Sequence, residues 1–227
     1  MKLLAFEFSC ERASVAFRFG DETRLRWIEG HANHSEHILA AARALLAEGG
    51  LGIGALDAVA FGAGPGAFTG LRLACGVAQG LALGAGLGVI PVCSLAALAA
   101  QSPLPLALTA TDARMGEIYH GRYRIENGLP VELAAPACCA PAALPPPEGE
   151  YFGLGSAFAA CETSLAVVRV SLAGCDPLAV PSAETIARLA VAAGQTDIVP
   201  PERAAPLYVR NKVALTTAER LARGNRA

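Results

Sequence analysis

The run FGAGPGAFTGLRLACG, Phe61 to Gly76, sets Gly64, Gly66 and Gly70 around Pro65, with Thr69 and Arg72 close by. It lies between an apolar stretch and a helix-like one. Glycines so spaced let successive backbone amides turn towards one point, and the free amides of a helix start attract anions. A nucleotide P-loop adds a lysine directly before a Ser or Thr, to hold the outer phosphates and Mg2+. Here Gly70 is followed by Leu71, and the nearest cation is Arg72. A dinucleotide fold is not indicated either, because no Gly-x-Gly-x-x-Gly frame opens the helix. Two readings stay open. Gly64, Gly66, Thr69, Gly70 and Arg72 form a weak phosphate loop, or the glycines permit a tightly packed strand-to-helix turn.

His31, His34 and His37 recur every third residue, and three imidazoles can bind zinc. His31 and His34 precede Ser35, the expected N-cap, and the general-base glutamate of a zincin motif is missing. A structural or surface role is preferred, and no metal site is expected. Glu7 falls late in the first strand, while Asp112 and Glu117 flank a later turn. Paired carboxylates hold Mg2+ or act as acid and base, but sequence alone does not bring Glu7 to Asp112. No Ser-His-Asp or Cys-His frame stands out, so no catalytic residue is assigned. The 7 cysteines are odd in number. Cys138 and Cys139 are adjacent, and no Cys-x-x-Cys pair exists. Reduced thiols in a cytoplasmic protein are expected, rather than a disulfide framework or a zinc ribbon.

Positioning these residues requires a mixed α/β chain. KLLAFEFS and ASVAFRFG read as a hairpin, and TRLRWIEG as a third antiparallel strand with one wet face. HANHSEHILAAARALLAEGG predicts a helix capped at Ser35 and ended by Gly49 and Gly50, with Ile38, Leu39, Ala42, Leu45 and Leu46 on one face. DAVAFGAG is a buried strand. The next helix runs from about Thr69 to Ala85, with Gly70, Ala74, Val77, Ala78, Leu81, Ala82 and Ala85 on a small-residue face open to another helix. GVIPV is a short strand and SLAALAAQ a helix. After SPLP the pattern restarts: strand, turn at Asp112 to Gly116 and strand, then a proline-rich loop from Pro136 to Pro147. EYFGLG follows as a strand, SAETIARLAVAAG as a capped helix, and APLYVR as a last extended piece. The break near Ser102 to Pro105 divides the chain into a subdomain at 1–104 and a looser one at 105–227.

The 227 residues are 53% hydrophobic and 17% charged, a composition that folds rather than stays disordered. A formal charge of −2 gives the whole surface no strong pull on nucleic acid. The tail from Arg210, RNKVALTTAERLARGNRA, is locally basic, and a solvated helix end is preferred there over an RNA contact. The start of the chain lacks the pattern of a signal peptide, and glycines and Pro91 interrupt the apolar run Val77 to Val92. No membrane association is expected.

Several segments together resemble the TsaB (YeaZ) family of bacterial tRNA threonylcarbamoyladenosine biosynthesis proteins. They are LLAFEFSCERASVAF, HSEHILAAARALL, DAVAFGAGPGAFTGLRLACGVAQGLA, IPVCSLAALA, DARMGEIYHGRY and PLYVRNK, in that order. The resemblance covers essentially the whole chain, and Gly-Pro-Gly-Ala-Phe-Thr-Gly-Leu-Arg is its most specific part. It implies an α/β fold of two subdomains like that of actin, Hsp70 and the sugar kinases (ribonuclease H-like), with mixed sheets flanked by helices. It implies a non-catalytic scaffold that supports a TsaD-like catalytic subunit modifying adenosine 37 of ANN-decoding tRNAs. A TsaE-like ATPase subunit joins, tRNA is met indirectly, and a homodimer forms in the absence of TsaD. ATP, Mg2+ and a metal then belong to partner subunits, with no cofactor in this chain. The implied interface lies on the first two helices: His34, His37, Ile38, Ala42 and Leu45, with Gly70, Ala74, Val77, Ala78 and Leu81. A bulky charge at Ala74 or Ala78 is accordingly expected to abolish association while leaving the monomer folded.

Two departures favour a scaffold. Glu7-Phe8-Ser9 stands where the family has Asp-Thr-Ser, and Ala67 where it has Ser. The rival readings are enzymes of the same superfamily. One is a phosphotransferase or ATPase using Glu7, Thr69 and Asp112 around Mg2+; the other is a metallopeptidase using the three histidines.

Overall fold

The computed structural model describes residues 1–28 and 34–210. Strands β1 (Lys2–Glu7), β2 (Ala13–Phe19) and β3 (Glu22–Ile28) form an antiparallel meander. Helix α1 (His34–Glu48) then leads to β4 (Ala58–Gly64), and helix α2 (Phe68–Ala85) to β5 (Gly88–Cys93). Both later strands run parallel to their neighbours, so the sheet order is β3-β2-β1-β4-β5. Parallel pairing needs a crossover, and the two long helices provide it.

After α3 (Ser94–Ala99) the same topology is built a second time. A meander of β6 (Leu106–Asp112), β7 (Ile118–Glu126) and β8 (Leu129–Cys139) is followed by β9 (Tyr151–Leu154), parallel to β6. Short helices α4 (Ala157–Ala160) and α5 (Ala166–Val170) precede β10 (Gly174–Asp176), and the order is β10-β9-β6-β7-β8. The restart expected after SPLP is therefore a repeat of the whole strand plan.

Alternation along the strands sorts the first sheet into two unlike faces. Leu4, Phe6, Val15, Phe17, Val59 and Phe61 are buried under α1 and α2. Ala5, Ala16, Ala58 and Ala60 face the other way with Leu3 and Ile90. That flat alanine face accepts helix α6 (Ala183–Ala193), which packs Ala183, Ile186, Ala187 and Ala190 against it. Ser182 caps α6 by accepting the Thr185 amide at 3.2 Å, and the Ala183 amide donates to Ser14 Oγ at 2.9 Å. The boundary near Ser102 to Pro105 falls between the sheets, but α6 lies far beyond it in sequence and completes the first sheet's core. Helix α3 sits between the two halves: Ala97 packs on the first sheet, and Leu95, Leu98 and Ala99 meet Ala107, Tyr123 and Leu154 of the second.

Two expectations on element limits need correction. α1 begins at His34, so Ser35 lies inside the helix and is not its cap. The loop expected from Pro136 is partly strand, because β8 runs on through Pro136 to Cys139. An edge strand needs only one satisfied side, which tolerates proline. APLYVR is extended but pairs in neither sheet; its anchor is the Leu207 amide on the Ala63 carbonyl at 2.8 Å. Most of the basic tail, like His31, lies outside the described residues.

The glycines of α2 separate by what surrounds them. A Cβ at Gly70 would enter the Phe8 carbonyl, whereas at Gly76 and Gly80 it meets open space. Gly70→Ala is expected to lower unfolding free energy by about 1–3 kcal/mol. Gly80→Ala is expected to raise it by about 0.5–1 kcal/mol, since a helix interior favours alanine. Urea titration of the two variants checks both signs.

Candidate functional site

At the open ends of the sheets lies a cleft of about 770 Å3. One wall is Ser9 to Arg12, after β1, with Pro65 to Phe68 ahead of α2. The other is Thr111 to Arg114 at the end of β6, with Tyr119 and Ser156. Leu71, Leu95 and Leu98, all buried, give it an apolar floor. The segment Leu207 to Arg210 lines the same space.

Glu7, the acid expected to face a metal, is sealed beneath this wall. It has no exposed surface; Oε1 accepts the Ser9 amide at 2.6 Å and Oε2 accepts the Ser94 hydroxyl at 2.8 Å. Ser94 Oγ accepts the Gly64 amide at 3.2 Å, joining β1, β4 and α3 through one carboxyl. Burial pushes the Glu7 carboxyl above the ordinary glutamate range, although the hydrogen bonds from Ser9 and Ser94 pull the other way. Asp112 is turned to its own hairpin: Oδ1 accepts the Arg114 amide at 2.8 Å, and Oδ2 lies 3.3 Å from the Arg114 guanidinium. Thr69 is exposed and is not part of the cleft lining. Glu7, Thr69 and Asp112 are not brought together as a Mg2+ set.

The glycine-rich loop is likewise spent on the fold. A side chain at Gly66 would strike the Ser9 carbonyl, and that carbonyl accepts the Ala67 amide at 2.7 Å. Gly66 and Gly70 therefore bring the loop and the first turn of α2 onto the end of β1, while Gly64 makes room for the Leu71 side chain. Of the two open readings, the tight turn is the one the geometry builds. Arg72 stacks on the Phe68 ring at 3.8 Å and donates to Tyr208 Oη at 3.2 Å, so its guanidinium is engaged away from the glycine arc. The histidines do not form a described cluster: His37 is exposed on α1, and among the described residues no group of three His, Cys, Asp or Glu is placed to hold a metal. Burial, with Glu7 nearby, pushes the Cys10 thiol up to about 11, so this cleft cysteine is a poor nucleophile.

The expected interface needs a larger correction. Ile38, Ala42, Leu45, Ala74 and Ala78 are buried in the monomer's own core, packed on the first sheet, and Gly70 abuts Phe8. At these six positions apolar periodicity identified a face that folds the chain; of the others, Val77 and Leu81 are half-buried, His37 is exposed, and the His34 side chain lies outside the description. A charge at Ala74 or Ala78 is therefore expected to unfold the monomer. The outward face of α2 carries Gly76, Gly80 and Gly84, all with open space above them, beside half-buried Leu73, Val77 and Leu81 and exposed Leu83. Leu39, Ala40 and Arg43 are exposed on α1. By length and composition α2 is apolar enough to cross a membrane, but its Ala74, Cys75, Ala78 and Ala82 are core residues against the first sheet.

Residues 29–200 match the family model described as TsaD, tRNA N6-adenosine threonylcarbamoyltransferase. The solved structure of YeaZ from Pseudomonas aeruginosa superposes with a TM-score of 0.80 at 33% identity, covering 91% of this chain and 99% of that one. The chain belongs to this family, in its TsaB/YeaZ branch. A second solved structure from the same organism, of an uncharacterized protein with similarity to peptidase YEAZ, gives a TM-score of 0.81 at 32% identity. It covers 92% of this chain and 99% of that one. Among curated relatives, the tRNA threonylcarbamoyladenosine biosynthesis protein TsaB of Haemophilus influenzae is 43% identical over 125 residues, 52% of each chain. That of Escherichia coli is 37% identical over 143 residues, 57% of this chain and 58% of the relative. The matched part thus spans about half the length of these curated relatives. Membership of the TsaB/YeaZ branch fixes the architecture as the actin-like, ribonuclease H-like fold, in agreement with the doubled strand plan.

The buried acid gives a pH signature. With its carboxyl held above the unfolded value, Glu7 binds more protons in the native state. Its contribution to stability therefore falls as pH rises from about 4.3 through the folded value. Glu7→Gln is expected to remove that fall. As pH rises above about 4.3, the urea midpoint of the wild type should decline relative to the variant. Parallel pH profiles would contradict the assignment.

Proposed function

We propose that this TsaB/YeaZ-branch chain is a non-catalytic scaffold in the formation of N6-threonylcarbamoyladenosine at position 37 of ANN-decoding tRNAs. It docks on a TsaD-like catalytic subunit, and a TsaE-like ATPase subunit joins the assembly. ATP, Mg2+ and the catalytic metal are held by those partners, and this chain meets tRNA through them. Without the TsaD-like subunit, two copies pair through the same face.

The observation that carries this reading is the outward face of α2. Gly76, Gly80 and Gly84 recur one turn apart where the monomer needs no glycine, beside Leu83 at 73% exposure. Each costs helix stability in the monomer. A closely approaching helix from a partner gives those positions a use, because a side chain there would hold the two backbones apart. Exposed Leu39 on α1 extends the apolar area. The occupied oxygens of Glu7 and the loop glycines committed to packing support a scaffold over the phosphotransferase reading.

Size-exclusion chromatography of the chain mixed with its cognate TsaD-like subunit tests this. Co-elution is expected, and Gly80→Arg is expected to abolish it with an unchanged circular dichroism spectrum. Co-elution that survives Gly80→Arg would overturn the interface, and absence of a wild-type complex would overturn the role.

A further inference from the structure

The cleft between the sheets has no part in the docking role, yet its walls are fixed. On the inner side, Leu95, Leu98 and Ala99 join the second sheet in a buried apolar cluster. At the mouth, Arg114 pairs with Glu11 across the gap. The segment after the 3-10 turn Pro201–Arg203 is tied to α2 by Gln79, which donates to the Pro201 and Ala204 carbonyls at 2.8 and 3.1 Å. Its far end is tied to the β6–β7 turn. Arg210 donates to the Ala113 carbonyl at 2.9 Å and its Nε lies 2.7 Å from a Glu117 oxygen. Leu207, Tyr208 and Val209 are thereby held as one side of the cavity.

The lining chemistry narrows what fits. The floor of leucines offers a phosphate nothing, the loop amide at Ala67 is already engaged, Arg114 and Arg210 have carboxylate partners, and Arg12, the third arginine of the lining, sits over the Trp27 ring at 4.3 Å. Large apolar side chains at the mouth nevertheless face water: Leu178 at 82%, Tyr208 at 50% and Leu207 at 38%. The volume lies within the range of small-molecule sites, about 300–1,000 Å3. We propose that the cleft is a preformed site for a small molecule with an uncharged, apolar or aromatic body, seated between the leucine floor and the Leu178 and Leu207 rim. A nucleoside polyphosphate is not its ligand.

The probe is N-phenyl-1-naphthylamine, an uncharged aromatic dye that brightens in apolar sites, titrated into the full chain. Saturable emission at one dye per chain is expected, unaffected by Mg2+-ATP. Leu178→Arg and Leu207→Arg, both rim changes compatible with folding, are each expected to weaken the dye about tenfold, since they set a charge against an apolar ligand. Leu83→Arg, on the outward face of α2, should leave the affinity unchanged. Emission that does not saturate, that is lost with Leu83→Arg but kept in both rim variants, or that Mg2+-ATP displaces stoichiometrically would overturn the proposal. None of these outcomes bears on docking, which is read separately by co-elution with Gly80→Arg.

Discussion

The close approach of the Gly64 to Gly70 loop to the end of β1 is the constraint on which the other features depend. The Phe8 and Ser9 carbonyls press into the space that side chains at Gly70 and Gly66 would take. The Ser9 carbonyl also fixes the loop through the Ala67 amide. Directly beneath, the Glu7 carboxyl fills the gap above Gly62 and gathers Ser9, Ser94 and, through Ser94, Gly64. An ionisable group in such a place is costly unless hydrogen-bonded, and both of its oxygens are. One consequence is mechanical: β1, β4, α2 and α3 are set at fixed spacings. The other is chemical. A glycine-rich loop and an acid, residue types that suit phosphate and metal, are consumed by packing.

That arrangement orients α2, and with it the division of labour between its faces. Ala74, Cys75, Ala78 and Ala82 are driven onto the large apolar side chains of the first sheet, so Gly76, Gly80 and Gly84 point outward, while Gly70 in the first turn abuts Phe8. On the opposite side of the sheet, small side chains on β1, β2 and β4 make room for α6 to return from the end of the chain. The fold therefore concentrates its bulk under α1 and α2 and exposes a thin backbone surface on α2.

Local pattern made much of this legible. The β1 to β3 meander, α2 and β4 followed from alternation and helical period, and the repeat after SPLP was visible as a new strand-turn-strand. β8 was not, because an exposed edge strand with Pro130 and Pro136 carries neither a buried period nor the usual strand composition. α4 and α5 are too short to show a period. Gly70, Ala74 and Ala78 were grouped with Val77 and Leu81 as one docking face for a physical reason, although the first three turn inward. Periodicity says which residues share a face, but only the tertiary fold decides whether that face meets the chain's own sheet or another molecule. Glu7 shows the same limit. Its partner Ser94 is 87 positions away, and nothing local distinguishes a carboxyl that seals a core from one that faces a cleft.

Hydrogen–deuterium exchange by mass spectrometry, with and without the cognate TsaD-like subunit, tests the central claim most directly. Slowing is expected to be greatest in peptides covering Leu73 to Ala85 and the Leu39 to Arg43 turn of α1, with the β8 edge unchanged. Protection confined to β8 or α5, with α2 unaffected, would contradict it.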